Sequence, residues 1–163
     1  MNGAGAPRKR FAVDVMLGRL AKWLRVLGFD ASMTSLRERT QIQAVLSRGF
    51  IPVTRRDKWR QASGVLFIRS DHHFEQLREL IAGLSLKRDE LAPFSRCGVC
   101  NASLLSISRE AAFGRVPDFV FETAVDFRRC PDCERIYWPG THKKRMIEKV
   151  ASLFGPDAHE EGI

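Results

Sequence analysis

The sequence has no apolar run long enough to span a membrane. Its most apolar-leaning stretch, Phe11 to Phe29, is interrupted by Asp14, Arg19, Lys22 and Arg25, and charges at that density exclude a bilayer helix. The opening MNGAGAPRKR is followed by no apolar core of the kind a secretion signal needs, so a cytoplasmic protein without a membrane partner is the expectation. Cysteine is scarce, four in 163 residues, which excludes a disulfide-built scaffold. No internal repeat or low-complexity segment is present. Acids are scarce in one region: residues 1–60 carry 4 Asp and Glu against 13 Lys and Arg, while the remainder carries 15 against 14.

What is present is an ordinary globular composition, 44% hydrophobic and 28% charged, in a length that suits one main domain or one domain with a small appendage. The net charge of +8 lies in the first third. It suits a polyanionic partner such as nucleic acid, or a solvated basic helix that keeps the chain soluble.

Along residues 11–86 strand-like and helix-like segments alternate. Phe11-Ala-Val-Asp14 reads as a strand. Leu17, Leu20, Ala21, Leu24 and Leu27 recur at helical spacing, with Gly28 as C-cap. Phe29 to Ser35 reads as a second strand, Gln41 to Arg48 as a second helix, and Phe50 to Thr54 as a third strand, with Pro52 favouring an edge or a strand start. Val65 to Ile68 is the fourth strand, and Ser70 or Asp71 caps a helix with Phe74, Leu77, Leu80, Ile81 and Leu84 on one stripe. Alternation of this kind predicts an α/β unit with a mainly parallel sheet. Lys87 to Ser95 reads as a linker. Short turns and strand-like pieces follow, including Val120-Phe-Glu122, and then a final helix near Lys143 to Leu153.

Cys97-Gly-Val-Cys100 and Cys130-Pro-Asp-Cys133 form two C-x-x-C knuckles, with Gly98 relaxing the first turn. Two intervening residues let both sulfurs of a knuckle reach one ion at about 2.3 Å, and two knuckles complete a tetrahedron. The expectation is a structural zinc, since four thiolates leave no open position for water. After the second knuckle, Arg135 to Arg145 mixes the aromatics Tyr137 and Trp138 with bases; the segment contacts nucleic acid, or its two aromatics pack against the small ribbon.

In a parallel α/β sheet ligands bind beyond the carboxyl ends of the strands, where Asp14, Asp57 and Asp71 fall. Converging carboxylates there hold Mg²⁺ or Mn²⁺ and support phosphodiester hydrolysis. The alternative makes Asp14 and Asp71 helix N-caps and Asp57 a surface charge. Arg19, Lys22 and Arg25, spaced by three on one helix, are candidates for phosphate contacts, or else a solvated face. His72 and His73 read as exposed polar residues, and His142 and His159 match no pattern.

The run VDVMLGRLAKWLRVLGFD, then IPVTRRD, FIRSDHHFEQLREL, SRCGVCN, GRVPDFVFE and RCPDCERIYWPGTHKKRM resembles the Mut-seven carboxy-terminal ribonuclease family, collinear from residue 11 to about 150. The resemblance implies a PIN-like three-layer α/β/α sandwich over residues 11–90. A zinc ribbon with a C-terminal helix over residues 94–154 would follow. It implies clustered acids that bind a divalent metal and cut RNA, with Asp14 and Asp71 as metal-binding acids, Asp57 or Glu38 as auxiliaries, and Arg19, Lys22, Arg25 and Arg55 on the RNA. The chain departs from the pattern twice. Arg37-Glu38-Arg39-Thr40-Gln41 stands where the family has an acidic stretch, and Thr54-Arg55-Arg56 stands where it has T-R-D, so that Asp57 is displaced by one position. Arg56 is placed to substitute electrostatically for the metal. A metal-dependent ribonuclease is therefore the first reading, a non-catalytic RNA-binding protein the second, and a zinc-stapled scaffold for an acidic protein the third. Homodimerisation is possible on each.

Overall fold

The computed structural model describes residues 7–154. Four strands, β1 (Arg10–Asp14), β2 (Asp30–Thr34), β3 (Ile51–Thr54) and β4 (Leu66–Phe67), pair in parallel in the order β2-β1-β3-β4. Pro52 was expected at an edge or a strand start; it is the second residue of β3, which is an interior strand. β4 pairs only with Val53 and Thr54, so β3 is open on that flank beside Pro52, which is the setting a residue without an N–H tolerates.

Side chains alternate across β1 and so divide the core. Phe11 and Val13 pack with Leu20 and Leu24 of α1 (Gly18–Val26) and with Leu77 and Leu80 of α3 (His73–Leu84). Ala12 faces the other way, toward Ile42 and Val45 of α2 (Arg39–Ser47). Helices thus cover both faces of the sheet, giving the three layers of an α/β/α sandwich. Gly28 ends α1 with φ +96°, and a Cβ there would meet the Ala92 carbonyl at 2.2 Å; only glycine allows that approach. The segment expected to be a linker is fastened at this point, with the Ala92 N–H donating to the Leu27 carbonyl.

The second sheet is antiparallel, formed by β5 (Leu105–Ile107), β6 (Phe127–Arg129) and β7 (Ile136–Tyr137). Between β5 and β6 lie α4 (Arg109–Ala112) and α5 (Asp118–Thr123). Val120-Phe-Glu122, read as strand-like, is helical because Pro117 stands at the N-cap and Asp118 complements the first turn. The last helix, α6 (Thr141–Ala151), returns to the first unit: Val150, and Phe154 just beyond it, enter the same core as Leu17 and Leu77. Among the described residues no helix is long and apolar enough to cross a membrane.

The bases at the start of the chain are engaged. Lys9 pairs with Glu90 at 2.7 Å, and Arg10 donates to the Arg48 carbonyl and lies over the Phe50 ring. Residues 1–6 and His159 lie outside the described residues.

Candidate functional site

The four cysteine sulfurs lie within 4.8 Å of one another. Four sulfurs on a tetrahedron of usual Zn–S length sit about 3.8 Å apart, and those of Cys97 and Cys133 are 3.7 Å apart. The two knuckles share one backbone design. The N–H groups of Cys100 and Cys133 point at the sulfurs of Cys97 and Cys130, and the next residues, Asn101 and Glu134, adopt left-handed φ of 65° and 62°. Gly98 was expected to relax the first turn, but it is not among the residues with positive φ, and a Cβ there would make only ordinary contact with Val26 at 3.7 Å and Lys22 at 3.8 Å, so neither backbone conformation nor space demands glycine.

Burial raises the Cys97 thiol pKa, but the Tyr137 hydroxyl at 3.0 Å and the N–H groups of Cys100 and Val99 outweigh it and bring it down to about 6. Cys100, hydrogen-bonded to Cys133, is pushed up to about 12. Thiolates this close repel one another, so full ionisation calls for a cation among them. The donor set and spacing fit one metal ion of the soft, tetrahedral kind.

The first knuckle is bolted to the α/β unit. Arg25 is buried, its Nε donating to the Ala31 carbonyl at 2.8 Å and its Nη1 to the carbonyls of Val99 at 2.9 Å and Gly98 at 3.3 Å. Burial lowers its pKa, opposed by Cys97, Cys100 and Asp30. Asn101 completes the joint, donating to Asp30 and accepting from the Ala31 N–H. Arg25 is thus withdrawn from the RNA-contact role expected of it. Residues spaced by three lag the helical turn by about 60° per step, so Arg25 lies about 120° round from Arg19. Arg19 and Lys22 remain exposed.

At the carboxyl end of β1, Asp14 is fully buried. Its Oδ2 accepts from the Thr54 hydroxyl at 2.7 Å and from Arg56 Nε at 2.8 Å, and the Arg56 N–H returns to Thr54 Oγ1. Asp14 makes no side-chain cap bond. The other acids do not join it in a metal-holding group: among the described residues only the four cysteines form one. Asp57 is 81% exposed and pairs with Arg60. Glu38 caps α2 in a reciprocal box with Gln41. Asp71 is exposed and precedes the α3 N-cap, His72, so neither Ser70 nor Asp71 caps that helix.

A family model described as the Mut7-C RNAse domain matches residues 9–150. The chain belongs to this family. No curated protein and no solved structure matches it.

The Arg56 guanidinium occupies the space beside Asp14 where a dication would need further carboxylates. The residues at the strand ends therefore do not fit Mg²⁺ or Mn²⁺ in this conformation. Asp57, Glu38 and Asp71 do not gather with Asp14 as a metal-holding set: Asp57 lies in an exposed turn paired with Arg60 and Glu38 stands at the N-cap of α2. Arg55 is half-buried, reaching the Arg69 carbonyl at 3.4 Å, and its Nε is buried without a partner. Residues the sequence did not single out hold this end of the sheet. Thr54 orients both members of the ion pair. Glu79 accepts from the N–H groups of Arg69 and Ser70, fixing the turn before Asp71; its position a turn or two into α3 was the only available signal.

Proposed function

We propose that this Mut7-C family protein binds RNA and that Arg56 replaces the divalent metal of its acidic site. The observation that carries this reading is the ion pair of Arg56 with buried Asp14 at 2.8 Å. A guanidinium there supplies the positive charge Asp14 needs and opposes entry of a dication. The basic first third of the chain and the family's ribonuclease character support RNA as the partner. A structural zinc on Cys97, Cys100, Cys130 and Cys133 supports the scaffold. It takes no part in chemistry, because a closed thiolate site has no position for a reacting water. The protein acts in the cytoplasm on this reading.

Family membership favours a second reading, a ribonuclease in which Asp14 and Asp71 hold Mg²⁺ or Mn²⁺ once Arg56 has left, with Asp57 or Glu38 as auxiliary. Incubating labelled RNA with Mn²⁺ and wild type, Asp14→Asn or Arg56→Asp decides between them. The expected result is salt-sensitive RNA binding by wild type with no cleavage above that of Asp14→Asn. Manganese-dependent cleavage by wild type that Asp14→Asn abolishes would overturn the first reading and establish the second.

A further inference from the structure

A cleft of about 500 Å³ lies between α1, the first residue of α3 and α6, outside the Asp14 site. Its volume falls in the range of small-molecule clefts, about 300–1,000 Å³. Its rim carries Arg19, Lys22, His73, His142 and Lys143, and no Asp or Glu lines it. None of these five side chains makes a hydrogen bond or ion pair among the described residues. Trp23 and Met146 give the cleft an apolar wall. Lys143 Nζ sits 5.2 Å from the Trp138 ring and 5.5 Å from the Tyr137 ring. Partial desolvation lowers the Lys143 pKa, and repulsion from Lys22 adds to it. The fold thus converges two ammonium groups from helices over 100 residues apart in sequence and gives them no counter-charge.

We propose that this cleft binds a short segment of single-stranded RNA, one base lying against Trp23 and Met146 and the flanking phosphates bridging Lys22, Lys143 and Arg19. The proposal rests on the RNA-binding reading and deepens it. Unpaired lysines facing each other across an aromatic-walled cleft match alternating phosphate and base. The concave shape admits a splayed base, which a duplex does not offer.

The test uses the full chain without added Mg²⁺ or Mn²⁺ and the fluorescence anisotropy of an end-labelled decauridylate. Lys22→Glu and Lys143→Glu should each weaken binding about tenfold or more, the scale of a lost charged hydrogen bond. Each should also flatten the dependence of log K on log salt by about 0.7 per lost phosphate contact. Lys144→Glu, the same charge change on the neighbouring α6 residue that does not line the cleft, should change binding less than about threefold. An RNA duplex should bind more weakly than the single strand. Irradiating a 5-iodouridine decamer should attach it to the α1 or α6 peptides, a readout independent of any variant's folding. If wild type binds while the cleft variants match Lys144→Glu, or attachment falls elsewhere, the cleft proposal fails and RNA binding stands. If wild type binds no RNA, both fail.

Discussion

Arg56 Nε lies 2.8 Å from Oδ2 of Asp14, a carboxylate with no exposed surface, and Thr54 holds both partners. Removing one member leaves the other without its counter-charge at the end of a buried strand. Arg56→Ala should cost about 1.5–3 kcal/mol, the range of a hydrogen bond to a charged group, with the lower end favoured because Arg56 is partly solvated. Arg56→Asp should destabilise further by setting two carboxylates together, and millimolar Mn²⁺ should then raise its melting temperature while leaving wild type unmoved. A thermal shift for wild type equal to that of Arg56→Asp would count against the closed site.

Arg25 joins α1 to the first knuckle through the carbonyls of Gly98 and Val99 and to β2 through that of Ala31. Arg25→Lys keeps the charge but not the fork that spans them. It should lose about 1–3 kcal/mol in urea unfolding and release its metal to a colorimetric chelator faster than wild type. An unchanged release rate would separate the joint from the metal site.

The thiolate cluster predicts one zinc per chain by elemental analysis. Binding needs deprotonated sulfur, so zinc is held at neutral pH and released as pH falls. Cys130→Ser should lower the zinc content and protease resistance of the second sheet. Full protease resistance of the second sheet in the absence of metal would remove zinc from the fold's supports.

Lys9 and Glu90 supply a milder pH effect. Burial raises the Glu90 pKa, but the Lys9 hydrogen bond, the Lys87 N–H and the charges of Lys9 and Arg8 together outweigh it, so the folded value lies below the ordinary 4.5. A depressed carboxyl contributes stability above its unfolded pKa and loses it as pH falls through the folded one. Lys9→Ala should lower stability at pH 7 by less than about 1 kcal/mol, because both side chains are partly solvated, and the difference from wild type should close in acid well below pH 4.5.

Phe154 reaches the core of the parallel-sheet unit although it follows the ribbon in sequence. Phe154→Ala should cost about 3–5 kcal/mol if its cavity does not collapse. Hydrogen exchange should accelerate in α1 and α3 before it does in β5 to β7. The opposite order would place α6 with the second sheet.

Much of the fold was legible because its signals are local. The leucines of α1 and α3 repeat at helical spacing, β1 alternates across the sheet, and each C-x-x-C pair brings its two sulfurs together whatever surrounds it. The edge position offered for Pro52 and the strand reading of Val120-Phe-Glu122 failed because strand order and a helix start outweighed their local propensity. The lysine cleft was legible only in halves: Lys22 stood out on α1 and Lys143 lay in the aromatic and basic segment after the second knuckle, but nothing local to either said that α6 folds back beside α1.

The sequence by itself determined the alternating α/β framework, the two cysteine knuckles and the family, all encoded in residue order and short-range spacing. The tertiary structure alone decided where the charges point. Arg56 turns onto Asp14, Arg25 turns inward to brace a knuckle, and Lys143 comes to face Lys22, because a side chain's direction and solvation depend on elements far away in the chain. Of the bases that mark the first third, Arg56 therefore closes a site, Arg25 braces a buried joint, and Lys22 opens onto a cleft that Lys143 completes from α6.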